Sequence, residues 1–182
     1  LSNKTFLVKN NIFIDNNFTE EESALLLKLV PSSQKVVSNY FNYLKSNPNI
    51  IFCKTQECFR SFGGGGNRGF SVGHSSVVLA PSDLSLLKCV LTHELFHAEL
   101  AKQVGLIKIY DIPSWFNEGM AVLVSNDLRY SIESLNHELQ RLNLEKPNIK
   151  NMISLSDFSK IAGKSHIIAY GTAYEFVNSW FN

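Results

Sequence analysis

The sequence predicts an α+β fold, and three observations carry the prediction. Before Pro81 the chain holds several short strand-like runs beside two helical ones, broken by Asn, Pro and Gly. From Pro81 to Val104 an apolar segment continues with no further Gly or Pro, and its repeat is helical. The remainder keeps mostly to helical patterning. With 182 residues, 45% of them hydrophobic, the chain suits one domain with a buried core. Residues 1–68 supply N-terminal strands and helices, and 69–182 the part that carries the chemistry.

In order, Thr5 to Lys9 and Ile12 to Asp15 read as strands around an Asn10-Asn11 turn. Glu20 to Val30 and Ser33 to Leu44 read as two helices parted by Pro31, because an interior proline removes a donor and crowds the preceding turn. Asn49 to Thr55 is a strand. The run from Phe62 to Gly69, with four consecutive glycines, is the most flexible point of the chain. Strands Phe70 to Gly73 and Ser76 to Ala80 follow. The long helix starts at an N-cap of Ser82 or Asp83 and stops at Gly105. A further helix opens near Pro113 and carries the apolar run Trp115 to Val124. Ser131 to Leu142 and His166 to Trp180 complete the helices.

A net charge of +1 gives no electrostatic case for a nucleic-acid partner or a membrane surface, and no apolar run reaches transmembrane length. Leu1 is not an initiator methionine, which allows for a removed signal peptide or anchor. Cys53 and Cys58 are spaced to close a small disulfide, which points to a secreted or periplasmic location over a cytoplasmic one. Cys89 reads as a small core hydrophobe. Abundant Asn, Lys, Ile and Ser suggest an AT-rich, bacterial genome.

Chemistry enters at His93-Glu94-Leu95-Phe96-His97, inside the long helix. Residues four apart share a helix face, so both imidazoles can reach one ion. Glu94, beside them, is placed to take a proton from a water on that ion. This is the minimal equipment of a zinc peptidase. Two histidines leave zinc under-coordinated, and Glu118 is the best third ligand. It lies in an oily helix, where a carboxylate is costly to bury unless it meets a cation. The alternative is a glutamate on a solvent-facing first turn, favoured by the helix dipole. The ring N–H groups of the ligands call for partners of their own, for which Asp111, Asn117 or a backbone carbonyl are the candidates.

A His-Glu-x-x-His helix followed by a Trp-x-x-Glu-Gly-x-Ala segment (Trp115 to Ala121) resembles the gluzincin metallopeptidases, the group of thermolysin and its aminopeptidase relatives. The resemblance spans roughly residues 69–180 and is most specific around 90–121. It implies a zincin-like, thermolysin-like single domain. In such a domain a small mixed β-sheet packs on the active-site helix, and further helices follow. The implied ligands of Zn²⁺ are His93, His97 and Glu118, with Glu94 as general base. Two rival groups of zinc peptidases fail. Metzincins would need Gly and His where Leu100 and Gln103 stand, and aspzincins would need an Asp where Tyr174 ends Gly171-Thr172-Ala173-Tyr174.

The same resemblance implies a hydrogen-bond donor for the oxyanion, which in the aminopeptidase branch is a tyrosine on a downstream helix. Tyr170 is the choice, with His166 and Tyr174 as alternatives. The family also pairs an upstream edge strand with extended substrate, which directs substrate binding to Ser76, Val77 and Val78 by β-augmentation. Gly64-x-Gly66-x-x-Gly69 imitates a dinucleotide fingerprint but leads into a strand, so a nucleotide site is rejected. His137-Glu138 with Arg141 is a decoy on an exposed helix face, and His74 reads as structural or as part of the cleft rim. No Gly-x-Met-Glu-Asn segment is present to anchor a substrate N-terminus. The expected activity is therefore zinc-dependent endopeptidase cleavage of a peptide or protein substrate. The alternatives are a latent or non-catalytic zincin-fold module that binds a partner, and a hydrolase of non-peptide amides.

Overall fold

Alternation of apolar residues builds the sheet. The computed structural model describes residues 5–181, so Leu1 and the expectation of a removed leader lie outside the described residues. Strands β1 (Thr5–Lys9), β2 (Ile12–Asp15), β3 (Asn49–Phe52), β4 (Gly69–Val72) and β5 (Ser76–Leu79) form one mixed sheet in the order β1-β2-β3-β5-β4. The β1/β2 and β4/β5 pairs are antiparallel; β2/β3 and β3/β5 are parallel. The fold is α+β, as expected.

The chain divides into two compact units, Leu1–Leu106 and Ile107–Asn182. The glycine run lies inside the first. There α1 (Glu20–Phe41) packs on α3 (Leu84–Val104), and α3 in turn packs on β4 and β5. Side chains alternate across a strand, so paired residues share a face. Ile14, Phe52 and Leu79 are fully buried on one face, and Gly69, opposite Leu79, shares it and meets α3. Ile51, Cys53, Val78 and Ala80 form the other face with Cys58 and Phe59 of α2 (Gln56–Ser61). Cys53 and Cys58 are joined as a disulfide.

Helix α1 corrects one expectation, because it runs through Pro31 without a break. Thr19 closes its start with a reciprocal capping box to Glu22, and Leu26, Val30, Ser33 and Val37 are buried. That apolar stripe, with Phe41 against Phe96 at 5.4 Å, outweighs the roughly 3 kcal/mol an interior proline costs. Pro31 itself sits on the exposed side. Helix α3 begins after Asp83, whose carboxylate accepts the Leu86 N–H at 2.9 Å, and ends at Gly105 with φ +94°. Glu99 is fully buried. Its carboxylate accepts the backbone N–H groups of Lys45 at 2.9 Å and Ser46 at 2.8 Å, which anchors the segment after α1 to α3. Burial alone would raise this carboxyl, but the N–H donors outweigh burial and hold it below the ordinary range.

The second unit holds α4 (Ser114–Ser125), α5 (Ile132–Leu142), α6 (Leu155–Ala162) and α7 (His166–Asn178). Helices α4 and α7 are in intimate contact because Gly119 lacks a side chain: a Cβ there would stand 2.5 Å from the Ala173 carbonyl oxygen. Glu138 corrects the reading of an exposed decoy face. His137 and Arg141 are exposed, but Glu138 is buried. It accepts Arg141 Nε at 2.7 Å and the hydroxyl of Ser165, the N-cap of α7, at 2.9 Å.

Candidate metal centre

Most of α3 is buried from Leu87 to Ala101, and the exceptions are informative. Apart from exposed Lys88, the half-buried positions are Cys89, His93 and His97. They recur every four residues, so they trace one stripe along the helix. The helix therefore turns its motif histidines to a less crowded side while Val90, Leu91 and Leu95 fill the core. His93 Nε2 and His97 Nε2 lie 3.0 Å apart. Glu94, one residue round the helix, is only 8% exposed. The start of β4 presses on it, since a Cβ at Gly69 would stand 3.2 Å from Glu94 Cγ and 2.7 Å from Val90 Cγ1.

Glu118 is half-buried on α4, next to the Gly119 close approach that fixes this turn against α7. His93, His97 and Glu118 each offer one ligand atom, and these atoms lie within 4.8 Å of one another. The three side chains could therefore hold a metal ion. Two converging imidazole nitrogens repel unless a proton or a cation sits between them. Two imidazoles and a carboxylate are a donor set suited to a borderline ion of the zinc type.

Tyr170 lies on α7, stacked on Tyr130 at 4.8 Å and 22° and met edge-on by Phe158 at 5.0 Å. It is one turn before Ala173, the residue that receives Gly119. His166 stacks on Tyr170 at 5.9 Å, and Tyr174 is half-buried on the same helix. Asp111 is exposed and Asn117 half-buried. His74 sits in the turn between β4 and β5.

The expectation for Ser76, Val77 and Val78 needs correction. They belong to β5, which is paired on one side with β3 and on the other with β4. A strand flanked on both sides has no open edge for β-augmentation. The edge strand on this side of the sheet is β4, with no further strand beyond it among the described residues. The edge position of β4 is not legible in the sequence, because the β4–β5 hairpin sets its second strand, not its first, beside β3.

Comparison with family models, with curated proteins and with solved structures finds no match. Among the described residues no helix is long and apolar enough to cross a membrane.

Proposed function

We propose that this chain is a zinc-dependent peptide-bond hydrolase with a zincin-like fold of the gluzincin kind, acting as an endopeptidase. The observation that carries the reading is the convergence of His93, His97 and Glu118 ligand atoms within 4.8 Å, with Glu94 buried beside the two histidines on α3. A zinc ion bound there would acidify a water and polarise a substrate carbonyl. Glu94 is the base: its carboxylate accepts a proton from the attacking water and delivers it to the departing amine as the C–N bond breaks. Tyr170 is the proposed donor to the oxyanion that develops on the carbonyl oxygen.

Substrate is proposed to lie along β4. The Ala80 N–H donates to the Arg68 carbonyl at 2.8 Å, so this opposed pair bonds across the β4–β5 ladder. Hydrogen-bonded and non-bonded pairs alternate in an antiparallel ladder. The next pair, Gly69–Leu79, and then Ser71–Val77 therefore direct their β4 backbone groups outward, and an extended peptide could pair there. The Cys53–Cys58 disulfide supports an oxidising, secreted or periplasmic setting. A chelator-sensitive digest of a peptide library, run beside the Glu94→Gln variant, tests the reading; cleavage that survives both treatments would overturn it.

A further inference from the structure

The outward edge of β4 is not uniform. Asn67 precedes the strand in an exposed loop, and its carboxamide NH₂ donates to the Gly69 carbonyl at 2.7 Å, while its Oδ1 accepts the Gly65 N–H at 3.2 Å. By the alternation of the β4–β5 ladder, the Gly69 carbonyl is one of the groups turned to the open side. Asn67 thus supplies, from within the chain, the N–H that a pairing peptide would otherwise bring to this oxygen. Among the described residues no side chain makes such a hydrogen bond to the backbone of Ser71, two residues on and facing the same way.

We propose that Asn67 is a specificity-determining cap that ends the peptide-binding edge at Gly69. A substrate backbone gains its paired hydrogen bonds at Ser71, and its next inward-facing amide, opposite Gly69, finds the acceptor taken. This inference rests on the reading of β4 as the substrate edge. It has a physical logic, because Gly69 is also where the strand touches Glu94 through its missing Cβ. Holding the Gly69 carbonyl fixes the strand at its point of contact with the proposed base. An uncapped edge would also be a template for unwanted strand pairing.

The test uses acetylated, amidated penta-alanine and its singly N-methylated versions, titrated into isotope-labelled, zinc-loaded Glu94→Gln protein and followed through backbone and carboxamide resonances. In the Asn67-containing protein, methylating the amide opposite Ser71 should weaken binding about 3- to 10-fold, the worth of one net hydrogen bond. Methylating the amide opposite Gly69 should change it less than 2-fold, an effect of about a few tenths of a kcal/mol. In Asn67→Asp, which keeps the acceptor for Gly65 but loses the donor, and in Asn67→Ala, the second amide should become as sensitive as the first. Equal sensitivity at both amides in the unsubstituted loop, or an unchanged pattern in both variants, would overturn the cap alone. Resonances of β4 that do not move with peptide would overturn the cap together with the substrate edge, leaving the metal centre to its own tests.

Discussion

The Nε2 atoms of His93 and His97 face each other at 3.0 Å across one turn of α3. Two ligands each about 2.0–2.1 Å from one zinc ion can stand that close. The relationship is local, since it follows from two imidazoles four residues apart on a helix held rigid by its buried faces.

Glu94→Gln keeps the shape of the side chain and removes its ability to take a proton. Peptide cleavage should fall about 10²- to 10⁴-fold with zinc content unchanged. Turnover and metal content measured on the same sample check this. Full activity would remove Glu94 from the chemistry.

Gly119→Ala tests how Glu118 is held. Alanine ordinarily favours a helix by about 1 kcal/mol over glycine, but here its Cβ would press within 2.5 Å of the Ala173 carbonyl oxygen and 2.8 Å of Val177 Cγ2. Overpacking of this kind costs about 1–3 kcal/mol. Denaturant unfolding should therefore show a net loss of stability, and zinc affinity should weaken as α4 shifts.

Glu99→Ala strips two part-buried backbone donors, those of Lys45 and Ser46, of their buried acceptor. The loss should be roughly 1–3 kcal/mol, since each of the two net hydrogen bonds lost is worth about 0.5–1.5. Glu99→Gln should lose less, because one oxygen remains to accept. Equal stability of all three proteins by chemical denaturation would refute this role.

Acid should probe Glu138. The Arg141 guanidinium and then the Ser165 hydroxyl hold its carboxyl down to about 2 from an ordinary 4.5. A carboxyl lowered by folding stabilises the native state above its unfolded value, and that contribution is lost as pH falls through the folded value. Stability should therefore decline between about pH 4.5 and about pH 2. The Glu138→Gln variant should show a shallower decline over the same range, measured by urea midpoints.

What the sequence made legible was whatever depends on neighbours along the chain. The histidine pair, the helix start at Ser82 or Asp83, the stop at Gly105 and the strands around Asn10 all follow from local spacing or local backbone preference, and the cap falls on Asp83. The spacing of Cys53 and Cys58 also anticipated their pairing. Glu118 was legible because a carboxylate in an apolar helix needs a reason. What stayed hidden depends on distant partners. Helix α1 survives Pro31 only because its stripe packs on α3. Short α2 and α6, capped locally by the side chains of Thr55 and Ser154, stayed hidden for another reason: they are too brief to show a period. Strand order was the largest omission: β5 lies between β3 and β4, so the strand expected to be an edge is internal. Glu138, read as exposed, is buried by its pairing with Ser165.

The most direct measurement is the zinc bound per chain in protein purified without added metal, compared with His97→Ala and Glu118→Gln. The account predicts about one ion per chain in the unsubstituted protein, as a single three-ligand site requires, and a large loss in both variants. Zinc absent from the unsubstituted protein even after reconstitution, or retained undiminished by both variants, would contradict it.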